Sequence, residues 1–170
     1  MAVQSQKNEV FIRKVILENF LSFKRDEVNF EDKKFLLIVG PNWSGKTSIF
    51  QAIRFALGSN ERDERYKKWS DFIRHGQKHA MVELEIQNGN ELIQIRRNVI
   101  KGQSPFFLIK KKGDEEYRKV HAIEIQNLIS NLNYNPDNHF CKRYLQSLLF
   151  RFIAWSGKTE KNCILSIEPI

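Results

Sequence analysis

The chain has 170 residues, a size suited to one domain whose core needs neither disulfides nor a structural metal. Its composition, 41% hydrophobic and 28% charged, is that of a globular protein, and no apolar run approaches the roughly 18 residues of a membrane-spanning helix. The net charge of +8 favours a polyanionic partner without identifying one, and it is spread out: residues 1–85 carry 15 basic and 12 acidic groups, residues 86–170 carry 13 and 8.

The first residues, "MAVQSQKNEV", lack an apolar stretch followed by a cleavage site, so an intracellular protein is expected, with residues 1–9 a flexible N-terminus. Cys141 and Cys163 lack the paired spacing of a zinc site or redox motif and read as reduced thiols.

Residues 10–20, "VFIRKVILENF", mix β-branched and apolar positions with single charges, the pattern of a partly exposed strand, and "DEVNF" at 26–30 is a candidate hairpin partner. "KKFLLIVG" at 33–40 is a continuous apolar run closed by glycine, which predicts a strand buried on both faces in the middle of a sheet. From Lys46 the residues Ile49, Ala52, Ile53, Ala56 and Leu57 recur at helical spacing, with Gly58 as the stop.

Residues 59–68, "SNERDERYKK", are polar and are expected to form an exposed loop. "HAMVELEIQNGNELIQIRRNVI" predicts two alternating strands joined at an Asn-Gly turn. "SPFFLIKKK" predicts a further strand, with Lys110, Lys111 and Lys112 at its exposed end rather than in a site. In "RKVHAIEIQNLISNL" the spacing places Val120, Ile123, Leu128, Ile129 and Leu132 on one helical face, before "NYNPDN" breaks the chain. Periodicity fades after residue 141; the letters "WSGKT" recur at 155–159, but Phe152 stands where a first loop glycine is needed.

Between the apolar run and the first helix lies "GPNWSGKTS", residues 40–48, with the frame Gly-x-x-x-x-Gly-Lys-Thr. A triphosphate is held by converging backbone N–H groups and by the positive end of a helix, which requires a tight turn between strand and helix. Gly40 and Gly45 permit the turn, Lys46 reaches the outer phosphates and Thr47 supplies a hydroxyl to magnesium, with Pro41, Asn42, Trp43, Ser44 and Ser48 completing the cradle. Trp43 occupies a position that the frame leaves free; because main-chain groups build the cradle, its indole is not expected to abolish binding.

With these residues in order, the chain resembles the N-terminal ATPase lobe of the structural maintenance of chromosomes (SMC) family and its double-strand-break-repair relatives. "VILENFLSF" resembles the opening strand with its Asn19-Phe20 pair; "GPNWSGKTS" resembles the family loop, which usually has glycine in place of Trp43. "AIRFALG" at 52–58 and "WSDFIRHGQKHAMVELEI" at 69–86 resemble the segments that follow. The resemblance covers roughly residues 10–140 and leaves 141–170 unassigned, as a truncated or non-native tail.

The resemblance implies an α/β fold: a P-loop NTPase half-domain, the lobe of an ABC-type head, with a central sheet around the phosphate-loop helix and an added antiparallel β layer. It implies ATP and Mg2+ as cofactors, and "NHFCKRYLQ" at 138–146 aligns Gln146 with the glutamine that contacts magnesium and the attacking water. It also implies a C-terminal lobe carrying a Ser-Gly-Gly signature and an Asp-Glu strand, joined to the first through a coiled coil. The sequence has no such signature and no heptad run, and "CILSIEPI" offers one acid, Glu168.

Phosphoryl transfer needs charge stabilisation on both sides of the γ-phosphate and a positioned water, so this lobe alone is expected to turn over very slowly or not at all. Arg62, Arg65, Lys67, Lys68 and Arg74 lie where family members meet DNA, although Glu61, Asp63 and Glu64 are interleaved with them. Three readings stay open: an ATP-binding lobe that needs its complement, a non-catalytic fragment acting through protein contacts, and a stand-alone P-loop NTPase or kinase.

Overall fold

The computed structural model describes residues 10–30, 38, 40–41, 44–59 and 65–131. Six antiparallel strands form one sheet in the order β2-β1-β3-β4-β5-β6. They are β1 (Val10–Phe20), β2 (Phe23–Asn29), β3 (His79–Asn88), β4 (Glu91–Ile100), β5 (Phe106–Lys111) and β6 (Arg118–Val120). Two helices, α1 (Lys46–Ala56) and α2 (Ala122–Asn131), and a 3-10 turn at Trp69–Phe72 complete the described elements.

Strands β1, β3, β4 and β5 form where their sequences predict, β2 begins at Phe23, ahead of the expected 26–30, and β6 occupies the start of a segment expected to be helical. In β4 the residues Ile93, Ile95, Arg97 and Val99 are buried and their neighbours half-buried, the period of two that puts alternate side chains on opposite faces. The expected hairpin of β3 and β4 forms with Asn88 opposite Glu91, so the two turn residues are Gly89 and Asn90 and Asn88 still belongs to the strand. Gly89, at φ +56, holds the first turn position, where a type II′ turn requires glycine. In β1 the register shifts between Ile12 and Lys14; this bulge keeps both Ile12 and Val15 opposite buried residues of β3, Ile86 and Leu84.

Helix α1 lies against β1, β3 and β4 and buries Ile49, Ala52, Phe55 and Ala56. Its C-terminus closes as a Schellman motif: Ser59 N donates to Arg54 O at 3.1 Å and Gly58 N to Phe55 O at 3.1 Å, with Gly58 at φ +84 as expected of the stop residue. The core gathers Val15, Leu17, Val82, Leu84, Ile93, Ile95 and Val99 from the sheet with Phe55 and Ala52 from the helix.

Two expectations are corrected. In α2 the buried residues are Ile125 and Ile129, one turn apart, whereas Ile123 is 64% exposed and Val120 belongs to β6. Ile123 lies two positions from Ile125, about 200° around the helix, so both cannot face the core. The loop 59–68 is not uniformly exposed either: Ser59 is buried, and Tyr66 stacks on Phe72 with centroids 5.1 Å apart.

Of the expected central strand at 33–40, Ile38 is buried and Gly40 half-buried; 33–37 and 39 lie outside the described residues. So do residues 1–9, Asn42, Trp43, Arg62, Gln146 and the whole of 132–170.

Candidate functional site

The phosphate-loop frame sits where the sequence puts it, immediately before α1. Gly45 is the residue before the helix and has φ +91, a conformation that L side chains rarely adopt. A Cβ there would also stand 2.9 Å from Cζ of Phe23 and 3.1 Å from Oγ of Ser22. The turn between β1 and β2 therefore presses against the helix start, and only glycine fits. Gly40 is tight too, since a Cβ would meet Ser44 Oγ at 2.9 Å.

The ladder of α1 begins with Ser48 N donating to Gly45 O at 2.9 Å and Ile49 N at 3.3 Å. The N–H groups of Lys46 and Thr47 precede that ladder and belong to the orphan donors of a helix N-terminus. No acidic residue stands in the first turn, so the positive end of the helix dipole is not offset there. Lys46 folds back over its loop: Nζ donates to Gly40 O at 2.7 Å and to Pro41 O at 2.5 Å, and lies 3.5 Å from Ser44 Oγ. Thr47 is exposed, and Ser44 N donates to Pro41 O at 3.3 Å.

These donors fit a triphosphate and its metal. An ammonium, a hydroxyl, the helix N–H groups ahead of the ladder and a tight turn that only glycine allows at Gly45 are the chemistry that an anion of this kind requires. Among the described residues no cluster of His, Cys, Asp and Glu could hold a metal by itself, so Thr47 is the described candidate ligand.

Of the basic candidates, Arg65, Lys67 and Lys68 are exposed in succession ahead of the 3-10 turn, and Arg74 follows it half-buried. Lys68 N donates to Asp71 Oδ2 at 2.8 Å, which caps the turn. Arg74 N donates to Asn19 O at 2.7 Å and Leu21 N to Phe72 O at 2.8 Å, so this segment is bound along the β1–β2 turn that presses on Gly45. Asn19 and Leu21 both have positive φ, +49 and +50, the local strain of that turn.

Sequence reasoning missed three features here. Ser22 and Phe23 wall the glycine of the loop, which spacing along the chain does not reveal. Lys78 and Lys101, both exposed, meet at the same end of the sheet through a hydrogen bond from Lys101 N to Lys78 O at 3.0 Å, although 23 positions separate them. Arg97 is buried behind α1; its signal was legible, because it falls on the apolar phase of β4 between Ile95 and Val99.

Comparison with known proteins bears on the same residues. A profile described as the RecF/RecN/SMC N terminal domain matches residues 11–141. The DNA double-strand break repair Rad50 ATPase of Thermoplasma volcanium is 37% identical over 163 residues, covering 94% of this chain and 16% of that protein. The chromosome partition protein Smc of Methanocaldococcus jannaschii is 34% identical over 143 residues, covering 76% of this chain and 12% of its own length. The chain thus spans about a sixth or less of these relatives.

A solved structure from work on the structural biochemistry of ATP-driven dimerization and DNA-stimulated activation of SMC ATPases superposes with a TM-score of 0.63 at 24% identity. It covers 82% of this chain and 99% of its own. That likeness shows the fold alone: α/β, the P-loop fold of an ABC-type head lobe.

Proposed function

Because the chain belongs to the RecF/RecN/SMC N-terminal domain family, we propose that it is the ATP-binding N-terminal lobe of an SMC-like ATPase serving chromosome organisation or DNA repair. The observation that carries this reading is the ammonium of Lys46, held by the carbonyls of Gly40 and Pro41 at the mouth of a helix that opens on Gly45. An incoming β/γ-phosphate offers Lys46 a charged acceptor in place of two neutral ones, and charge-assisted hydrogen bonds are the stronger kind.

In this reading Gly40 to Ser48 cradle the phosphates, and Thr47 and Gln146 hold Mg2+. The metal, when bound, neutralises charge on the phosphate oxygens and polarises the phosphoryl group. The chain's own residues bind and orient the nucleotide. A complementary C-terminal lobe, on the same longer chain or on a partner, supplies the signature and the acidic strand that hydrolysis requires. The assembled head meets DNA without base specificity through Arg62, Arg65, Lys67, Lys68 and Arg74, extended by Lys78 and Lys101, since cationic side chains read phosphate and not sequence. Such a protein works in the nucleus or at the chromosome of a eukaryote, or in the cytoplasm or nucleoid of a prokaryote. Among the described residues no helix is long and apolar enough to cross a membrane.

The test is calorimetry of Mg-ATP binding by the whole chain beside Lys46→Ala, with phosphate release followed in the same samples. Binding that the substitution abolishes, without turnover, is the expected result. Turnover by the chain alone would favour a complete NTPase, and no binding would favour a fragment acting through protein contacts.

A further inference from the structure

Arg97 is 4% exposed, and a guanidinium is costly to bury without partners. The described partners of Arg97 gather around the far end of the phosphate-loop helix. Nη1 donates to Phe55 O at 2.7 Å and to Ser59 O at 3.1 Å, two carbonyls of the last turn of α1 and its cap. The guanidinium also lies over three rings: Phe55 at 4.5 Å, Trp69 at 4.7 Å and Phe107 at 4.7 Å. An apolar side chain of similar volume often serves stability as well as a buried charge does, whereas the planar fork of arginine adds fixed geometry.

That geometry joins two functional regions. Through Phe55, Arg97 grips the C-terminal end of α1, whose other end carries Lys46 and Thr47. Through Trp69 it grips the 3-10 turn that begins directly after Lys67 and Lys68. The segment around that turn reaches the N-terminal end of α1 as well: it is hydrogen-bonded to Asn19 and Leu21, four and two residues before Phe23, whose ring packs on Gly45. Both ends of the helix are therefore tied to one segment, and a cation at a helix C-terminus is itself favoured by the dipole.

We propose that Arg97 is a positioning residue that clamps the phosphate-loop helix to the Trp69 turn, so that nucleotide binding at Lys46 is transmitted to the segment bearing Lys67 and Lys68. The inference rests on the nucleotide-binding reading above. Neither Arg97 nor Trp69 touches the nucleotide; the coupling runs through the helix and the aromatic contacts between Phe55, Trp69 and Phe72.

The experiment uses the whole chain labelled with 5-fluorotryptophan, the Trp69 signal assigned by Trp69→Phe, and titrated with Mg-ATP while calorimetry records affinity. The Trp69 fluorine resonance is expected to shift on saturation. In Arg97→Lys, which keeps the charge but loses the fork, and in Arg97→Met, affinity falls about tenfold, a coupling of ordinary size, and the shift is lost at saturation. A Trp69 resonance that stays fixed while the chain binds ATP in a Lys46-dependent way overturns the clamp alone, whatever the variants do. Variants that match the parent in affinity and shift also overturn it. Absence of Lys46-dependent binding by the parent overturns the nucleotide reading and the clamp together.

Discussion

Phe23 packs its ring against Gly45 so closely that a Cβ on the glycine would stand 2.9 Å from Cζ, and Gly45 itself has φ +91. Two independent constraints, backbone conformation and space, thus fix glycine at the entrance of α1. Gly45→Ala is expected to destabilise the chain by about 1–3 kcal/mol and to weaken Mg-ATP binding, because relief of the clash displaces either the hairpin turn or the helix start. Urea denaturation and calorimetry on the same variant measure the two effects. An alanine variant as stable as the parent would mean that the turn at Phe23 yields freely.

Lys46 separates binding from stability. Its ammonium bonds only within its own loop in the described contacts and is partly open to solvent. Lys46→Ala should therefore abolish detectable Mg-ATP binding while changing unfolding free energy by no more than about 0.5 kcal/mol. A large loss of stability would instead make the lysine a structural brace of the loop.

On the sheet face away from α1, Arg96 Nε donates to Glu83 Oε2 at 2.7 Å, and its guanidinium lies 4.1 Å from the Tyr117 ring centroid. Glu83 is buried, so Arg96→Ala strands a carboxylate; a loss of about 3 kcal/mol is expected, readable in denaturant midpoints. Replacing both residues, Glu83→Gln with Arg96→Ala, should recover part of it, since no charge is then left without its partner.

The same cluster carries a pH signature. Burial, with the nearby Glu83 carboxylate, pushes the Tyr117 phenol up to about 12 from its ordinary 10.0. Below pH 10 both folded and unfolded chains keep the proton and this group leaves stability unchanged. Between 10 and about 12 the unfolded chain ionises first, so stability falls as the pH climbs through that window. Denaturation midpoints across it should decline less steeply in Tyr117→Phe than in the parent; parallel curves would rule the phenol out as the source.

Helix α2 offers a comparison within one turn. Ile125→Ala and Ile129→Ala remove side chains that are 0% and 1% exposed, and each should cost about 2–4 kcal/mol. Ile123→Ala, on the solvent side, should stay within about 0.5 kcal/mol of the parent. Thermal or urea melts distinguish the two sets, and a costly Ile123→Ala would indicate that this face is covered in solution.

Local patterns were legible because their causes are local. Alternation in residues 79–100 follows from the two-residue repeat of a strand, the stop at Gly58 from its left-handed backbone, and the turn into α1 from the spacing of Gly40, Gly45 and Lys46. The family's segments along residues 15–86 read in order for the same reason. The choice between Ile123 and Ile125 was not legible: both are apolar, and only the core packed against α2 decides which one is covered. Ser59 likewise reads as polar loop, yet it is buried because Arg97, 38 positions away, seeks its carbonyl.

By itself, then, the sequence determined that a Gly-x-x-x-x-Gly-Lys-Thr frame precedes α1, which strands alternate and to which family the chain belongs, since these depend on residue type and spacing along the backbone. The tertiary structure alone decided that Phe23 backs Gly45, that the Trp69 segment borders both ends of α1, and that Arg97 fastens the far end of that helix. Those contacts join residues from 14 to 55 positions apart, and only the closure of the sheet over α1 brings them within reach.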